Sequence, residues 1–259
     1  SYLFEGYLTF NGQHSKKLSK EQLSKEKHYK KQTGNKWDRR NRLHIYKDLK
    51  KKNDNITITF HPSYLINKNY TNVLFPLSGI SQKETIYCNE NGYYSIYQSD
   101  RYGFNNPDGE WDKKEIEYLL VGDSFTQGAC VNRPNDIGSI LRNLSNKSVL
   151  NLGIGGNGPL LQYATLREYL NTKVKKVLWI YYEDNDLGNL ENEKISNILI
   201  KYLKDLNFTQ NLKLKQNEID RFLSNRIKER EREINAFKFK LIKFIKIYNT
   251  RSSILFVRE

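Results

Sequence analysis

The chain has little cysteine, no methionine and no long apolar segment. Cys88 and Cys130 are the two cysteines in 259 residues, which excludes a cysteine-rich scaffold and a zinc site built from four cysteines. They are compatible with two free thiols or with one disulfide. No run of about 18 apolar residues exists, so the sequence predicts no membrane span, and it shows no signal-peptide pattern. Because methionine is absent even at position 1, we expect the primary translation product to begin upstream of Ser1. A signal or membrane anchor in that upstream segment is compatible with the sequence.

Positive charge is concentrated near the N-terminus. The chain has 43 Lys or Arg against 29 Asp or Glu, and residues 11–52 alone contain 15 basic and four acidic residues. Such a segment can bind nucleic acid or an anionic membrane face. It carries no aromatic platform, RNP-type motif or zinc-finger spacing. The sequence therefore predicts no specific nucleic-acid partner, and a solvated lysine-rich surface is the favoured interpretation.

Apolar strands and amphipathic helices alternate from about residue 116 onward. We predict strands at 116–121, 148–152, 174–182 and 253–257, and helices at 134–143, 159–170 and 213–248. A short strand at 56–60 and an Asn- and Tyr-rich loop at 85–111 precede them. This alternation predicts an α/β fold with a parallel sheet and helices on both faces. We divide the chain into a basic, mainly helical segment, 1–75, and an α/β domain, 76–259.

Three motifs follow the first three strands of the predicted domain, where open α/β sheets place their sites. The first is Gly122-Asp123-Ser124, in which a serine leaves a strand through a glycine turn. The second spans residues 151–158 and contains four glycines, which allow backbone N–H groups to approach a ligand closely. The third is residues 183–186, where Asn185 offers a side-chain amide.

Each motif also has a simpler interpretation. Gly-Asp-Ser occurs in ordinary turns, and the glycines could form a tight turn or a nucleotide loop, although the Walker and G-x-G-x-x-G spacings are absent. The acidic third motif could be a charge cluster at a helix N-terminus or a metal site. Asn185 could simply cap the helix that follows it. The three motifs together, in order and each at a strand end, are far more specific.

These residues resemble the first three signature blocks of the SGNH, or GDSL-type, serine hydrolases. The similarity is closer to bacterial SGNH-like proteins found with surface-polysaccharide genes, through the stretches Cys88–Gly92, Ser99–Phe104 and Tyr181–Asp186, and it covers about residues 75–220. It implies a flavodoxin-like sheet and acyl-ester chemistry. It also implies the site roles: Ser124 as nucleophile, the N–H groups of Ser124 and Gly156 with the Asn185 amide as oxyanion hole, and Gly122, Asp123 and Asp186 as supporting residues.

Two departures from the family pattern matter. Glu183 stands where the family usually has glycine, a variant that we take to be common among the closer relatives. The family also takes its base from an Asp-x-x-His near the C-terminus, but all four histidines, His14, His28, His44 and His61, precede Ser124. We predict a sheet of order 2-1-3-4 whose fifth strand, with the base, is missing. This polypeptide alone is then expected to be inactive or nearly so, unless His44 or His61 supplies the base.

The sequence thus predicts an SGNH-type ester hydrolase or O-acyltransferase that acts on acylated carbohydrate through a serine acyl-enzyme, with no cofactor and no metal. The alternative from another class is a non-catalytic carbohydrate-binding or assembly module, for which aromatic residues of the 85–111 loop would stack on sugars. A third reading is a metal-dependent phosphohydrolase that uses Asp123, Glu183, Asp184 and Asp186. The compartment stays open, with the cell envelope favoured over the cytoplasm.

Overall fold

The computed structural model describes residues 19–66, 74–233 and 236. The helices are α1 (Lys20–Thr33), α2 (Arg42–Lys50), α3 (Ser124–Gln127), α4 (Ile137–Ser145), α5 (Pro159–Tyr169), α6 (Glu183–Glu193), α7 (Asn197–Lys204) and α8 (216–233). The strands are β1 (Ile56–Ile58), β2 (Glu84–Ile86), β3 (Ile96–Gln98), β4 (Ile116–Val121), β5 (Val149–Asn151) and β6 (Val174–Trp179). Short 3₁₀ helices lie at Pro62–Leu65, Asp108–Asp112 and Leu212–Lys215.

The larger core surrounds a parallel sheet of order β5-β4-β6, so the fold is α/β, as predicted. The predicted order of the first three strands of the domain is the observed one. Leu119, Leu150 and Leu161 are fully buried in this core, which α8 closes with Ile219 and Leu223. The predicted fourth strand at 253–257 and the predicted helix beyond residue 236 lie outside the described residues. β6 keeps apolar side chains partly exposed, with Trp179 at 43%.

A second, small sheet joins the N-terminal part of the chain to the rest. β1 pairs in parallel with β2, and β2 pairs antiparallel with β3. Side chains of α2 and of this sheet form their own core, which includes Ile45, Ile56 and Ile86. The β1–β2 pairing crosses the predicted boundary at 75/76. The prediction of a continuous loop at 85–111 was wrong here, because β3 and the 3₁₀ helix at Asp108–Asp112 lie within it.

The aromatic residues of the segment before β4 pack inward. Phe104 and Trp111 are almost fully buried. Tyr102 contacts Trp111 edge to face at a ring-centroid distance of 4.7 Å, and Phe104 contacts Tyr169 in the same way at 4.8 Å. Edge-to-face pairs of this kind stabilise a core beyond the area they bury. Phe104 and Trp111 therefore hold the segment on the domain and are not exposed for stacking on sugars.

Candidate active site

Ser124 lies at the first turn that follows β4, and the local sequence explains its position. Gly122 is required there, because any Cβ would collide with the Thr126 hydroxyl and would lie 2.8 Å from the Ile180 carbonyl oxygen. Asp123 is the N-cap of α3, since its Oδ1 accepts a 2.9 Å hydrogen bond from the Phe125 N–H. Ser124 is therefore the first residue of α3, at the carboxyl end of the central strand.

The first and third motifs meet at the Asp123 carboxylate. The Ser124 hydroxyl and the Asn185 amide each donate to Asp123 Oδ2 over 3.4 Å. Both bonds are long and therefore weak, so little is lost when either donor turns to another acceptor. Asp123 is 1% exposed, so Ser124 and Asn185 share a buried acceptor. Asn185 is not the helix cap that the simpler interpretation expected, because the N-cap of α6 is Tyr182.

The second motif forms a loop, which we call the glycine loop (residues 153–158), packed against the first motif. The Ile154 N–H donates to the Gly122 carbonyl oxygen over 3.3 Å. The Gly155 N–H donates to Gln127 Oε1 over 2.7 Å. A Cβ on Gly153 would lie 2.5 Å from the Gln127 nitrogen, so glycine permits this close approach of two backbones. The structure thus places the glycine loop directly beside the segment that carries Ser124.

Two backbone donors at this end of the sheet are free. Among the described residues, the N–H groups of Ser124 and Gly156 donate no hydrogen bond. Gly156 has a positive φ of 76°, a conformation that favours glycine. These are the two N–H groups that the sequence proposed as oxyanion donors. An oxyanion hole requires such free donors. The Asn185 amide is bonded to Asp123, next to Ser124, whereas a Cβ on Gly156 would lie nearest to Ser63 Oγ and His61 Nδ1.

Sequence reasoning gave His61 only as a fallback base, yet it lies against the glycine loop. Its Nδ1 is hydrogen-bonded to the Gly155 carbonyl oxygen, and its ring contacts Tyr64 and Tyr87. Its Nε2 is buried without a hydrogen-bond partner. Burial lowers the pKa of His61, against the bond to Gly155. No hydrogen bond joins Ser124 to this ring within the described part of the chain, so the structure does not present His61 as the base on Ser124.

The acidic residues of the third motif have structural partners. Asp186 is fully buried; its carboxylate accepts from the Tyr182 N–H over 2.9 Å and from the Gln162 amide over 3.2 Å. Burial raises the pKa of Asp186. Asp184 accepts from the Tyr182 hydroxyl. In residues 19–66, 74–233 and 236, no group of three or more His, Cys, Asp or Glu side chains is arranged to hold a metal ion.

A polar cavity of about 270 Å³ opens beside the glycine loop. Neutral amides and a hydroxyl account for much of its lining, which suits an uncharged polar ligand. The lining residues are Ser63, Ile66, Gly156, Asn189, Asn192 and Glu193.

Glu193 links this cavity to the N-terminus of α5. Its carboxylate accepts from the N–H groups of Gly158, Leu160 and Leu161, which have no partner inside the helix. Burial is the larger effect on this group and raises the pKa of Glu193 to about 7, although the three donors lower it. The folded protein therefore binds a proton at Glu193 more tightly than the unfolded chain does.

This raised pKa predicts a pH-dependent stability. The stabilisation from the shift is fully present below the unfolded pKa of about 4.3 and is lost as the pH rises through about 7. We expect the unfolding free energy of the wild type, relative to Glu193→Gln, to fall by roughly 2 to 3 kcal/mol from pH 4.5 to pH 8. Urea denaturation across this range measures it, with the exposed Glu191→Gln as control. A constant difference between wild type and Glu193→Gln would show that Glu193 titrates normally.

A disulfide joins the two cysteines that the sequence left open. Cys88 and Cys130 are bonded, with their Cα atoms 4.8 Å apart. Cys88 follows β2 and Cys130 lies just beyond α3. The bridge therefore ties the small sheet to the segment that follows Ser124.

None of the described helices is long and apolar enough to cross a membrane. No protein-family model matches the chain, and no curated protein and no solved structure matches it significantly.

Proposed function

We propose that the chain is an SGNH-type serine esterase or O-acyltransferase with Ser124 as nucleophile. One observation carries the proposal. The Ser124 hydroxyl and the Asn185 amide converge on Asp123. The glycine loop, which packs against the segment that carries Ser124, contains the Gly156 N–H, and among the described residues neither this N–H nor that of Ser124 forms a hydrogen bond. A flavodoxin-like sheet of order 2-1-3-4 belongs to the same proposal, and the observed order β5-β4-β6 is consistent with it.

The proposed chemistry is acyl transfer through Ser124. Its Oγ attacks the carbonyl carbon of an ester, and the negative charge that develops on the carbonyl oxygen is held by the N–H groups of Ser124 and Gly156 and by the Asn185 amide. Collapse of this intermediate breaks the bond to the leaving alkoxide and leaves acyl-Ser124, and the proton that the Ser124 hydroxyl loses ends on the leaving alcohol. Water or a sugar hydroxyl then accepts the acyl group. We propose acylated carbohydrate as substrate, because amide and hydroxyl groups, together with the Glu193 carboxyl group, line the adjacent cavity and can bond to sugar hydroxyls.

The disulfide supports a location outside the cytoplasm for this activity. Disulfides persist in oxidising compartments and are rare in the cytosol. The Cys88–Cys130 bridge therefore favours the cell envelope or the exterior, where surface polysaccharides carry acyl groups. Membrane proximity stays part of the proposal, and the exposed, lysine-rich α1 suits an anionic surface.

Covalent labelling of Ser124 tests the proposal. We expect a fluorophosphonate probe at high concentration to add slowly, once per chain, at Ser124, because a serine without an aligned base is a weak nucleophile. Ser124→Ala should remove the adduct. Ser145→Ala, on α4, is the matched control. Peptide mass spectrometry locates the adduct. Absence of label at Ser124, with the wild type folded, would refute the proposed nucleophile.

Catalytic ester hydrolysis by this chain is expected to be very slow, even where Ser124 can be labelled. The only acceptor on the Ser124 hydroxyl among the described residues is Asp123 Oδ2, and a carboxylate is a poor base at neutral pH. A serine without an aligned histidine loses on the order of 10⁴-fold in rate. We therefore expect near-background hydrolysis of a p-nitrophenyl acyl ester. Robust turnover that Ser124→Ala abolishes would show that the chain supplies its own base.

Asn185 is expected to affect labelling strongly. Loss of one oxyanion donor typically costs about 10²- to 10³-fold in rate. Asn185→Ala should therefore slow phosphonylation of Ser124 by that factor without changing the thermal midpoint by more than a few degrees. Asn143→Ala, an exposed asparagine on α4, provides the control. An unchanged labelling rate would remove Asn185 from the oxyanion hole.

The second candidate function is a non-catalytic carbohydrate-binding module. The polar lining of the cavity, together with the lack of a histidine bonded to Ser124 in the described residues, favours it. Glycan binding that persists in Ser124→Ala, from a wild type that never labels, would support this candidate instead.

A further inference from the structure

The hydrogen bond of His61 defines its protonation. A carbonyl oxygen only accepts, so the bond between His61 Nδ1 and the Gly155 oxygen requires the proton on Nδ1. Burial lowers the pKa of the ring, which favours the neutral form. The Nε2 atom is then unprotonated, and it is buried without a partner. His61 therefore acts on the glycine loop through one atom, as a hydrogen-bond donor.

The carbonyl bonded by His61 and the Gly156 N–H belong to a single peptide unit, the one between Gly155 and Gly156. The unit is planar and trans, so its C=O and N–H bonds point in opposite directions. A donor that fixes the carbonyl therefore also fixes the direction of the Gly156 N–H. Polarisation of the carbonyl also strengthens that N–H as a donor.

The preceding peptide unit, which contains the Gly155 N–H, is also hydrogen-bonded. Gln127 accepts from the Gly155 N–H over 2.7 Å, and its own amide nitrogen donates to Tyr97 over 3.1 Å and to Thr59 over 3.3 Å. Thr59 and His61 both come from the short segment that follows β1. A Cβ on Gly155 would lie 2.8 Å from His61 Cε1, so the ring packs directly on the backbone.

We infer that His61 is a positioning residue for the oxyanion hole. Through Nδ1 it holds the Gly155 carbonyl and thereby aims the free Gly156 N–H. The inference rests on the proposed function for what that N–H binds, but its geometric part does not. His61 lies 94 residues before Gly155 and outside the SGNH-like stretch, which begins at about residue 75. The inference therefore adds a residue from the N-terminal segment to the site. This positioning role differs from that of a general base, because a base would have to present Nε2 to the Ser124 hydroxyl.

Two substitutions separate these roles. His61→Asn places an amide donor near the position of Nδ1 and has nothing equivalent to Nε2. His61→Leu removes both nitrogens and keeps an apolar side chain. Circular dichroism confirms folding of each variant. The readouts are the amide resonance of Gly156 in ¹⁵N-labelled protein and the rate of Ser124 labelling by a fluorophosphonate between pH 6 and pH 9.

We expect His61→Leu to shift the Gly156 resonance and to slow labelling by about 10²-fold, the effect of a misplaced donor. His61→Asn should stay close to the wild type in both readouts. Equal damage in both variants would show that Nε2 is needed, and wild-type behaviour in both would show that His61 only packs; either result overturns the inference. If Ser124 never labels, the proposed function fails, while the Gly156 resonance alone still decides whether His61 positions the loop.

Discussion

Asp100→Ala is expected to lower the free energy of unfolding by about 4 kcal/mol. The Asp100 carboxylate is fully buried and accepts four hydrogen bonds, two from backbone N–H groups and two from side chains. Their donors are Tyr102 N, Phe104 N, Asn106 Nδ2 and Trp111 Nε1. Alanine would leave these donors buried without an acceptor, and each orphaned group costs about 1–3 kcal/mol before relaxation. Guanidinium denaturation measures the loss.

Asp112→Ala is the matched control in the same segment. Asp112 accepts from Arg101 at the surface, where its side chain is 64% exposed, and an exposed ion pair contributes at most about 1 kcal/mol. Asp100→Asn is the graded variant. It keeps one acceptor oxygen but turns an amide toward two of the donors, so its stability should lie between wild type and Asp100→Ala. Equal stability of the two alanine variants would mean that Asp100 does not organise the segment.

The sequence predicted the parallel sheet because its strands carry their own signal. β4 and β5 are apolar runs followed within two residues by Gly122 and Gly153, and such runs favour burial whatever their neighbours are. The third strand was predicted to reach residue 182, but β6 ends at Trp179. Its extension, residues 180–182, contains Tyr181 and Tyr182, which have high strand propensity but lead into α6.

The predicted strand at 56–60 contains β1, whose five-residue alternating stretch gave a signal, but β2 and β3 of the small sheet were missed because pairing between distant short strands leaves little local pattern. β2 and β3 each have three residues, and both lie within polar, turn-forming sequence. β2 gains its partner β1 only through the fold, which brings Ile58 opposite Ile86. A three-residue strand has too few positions for an alternating pattern to be distinguished from a loop.

The site was predictable to the extent that its residues follow neighbouring strands. Ser124 and Asn185 come together because β4 and β6 are adjacent and parallel, so their carboxyl ends meet at one edge. The contact of His61 with the glycine loop has no such basis. It depends on where the segment after β1 crosses the domain, and neither its length nor its composition encodes that path.

Loss of the Cys88–Cys130 disulfide is expected to destabilise the protein by about 4 kcal/mol. The bond closes a loop with a sequence separation of 42, and the chain-entropy model gives roughly this value for a loop of that length. The Cys88→Ser, Cys130→Ser double variant should therefore unfold at a lower guanidinium concentration than the oxidised wild type.

A reducing agent provides the internal control for this experiment. Tris(2-carboxyethyl)phosphine should shift the wild-type transition toward that of the double variant and leave the variant unchanged. The bridge also anchors the segment after α3, where Asn91 donates to the Cys130 carbonyl oxygen over 3.0 Å. The rate of Ser124 labelling at 25 °C should change little, because Asp123 still caps α3 and the glycine loop still bonds to Gly122 and Gln127 on either side of Ser124. Coincident wild-type transitions with and without reductant would show that the bond does not form in solution.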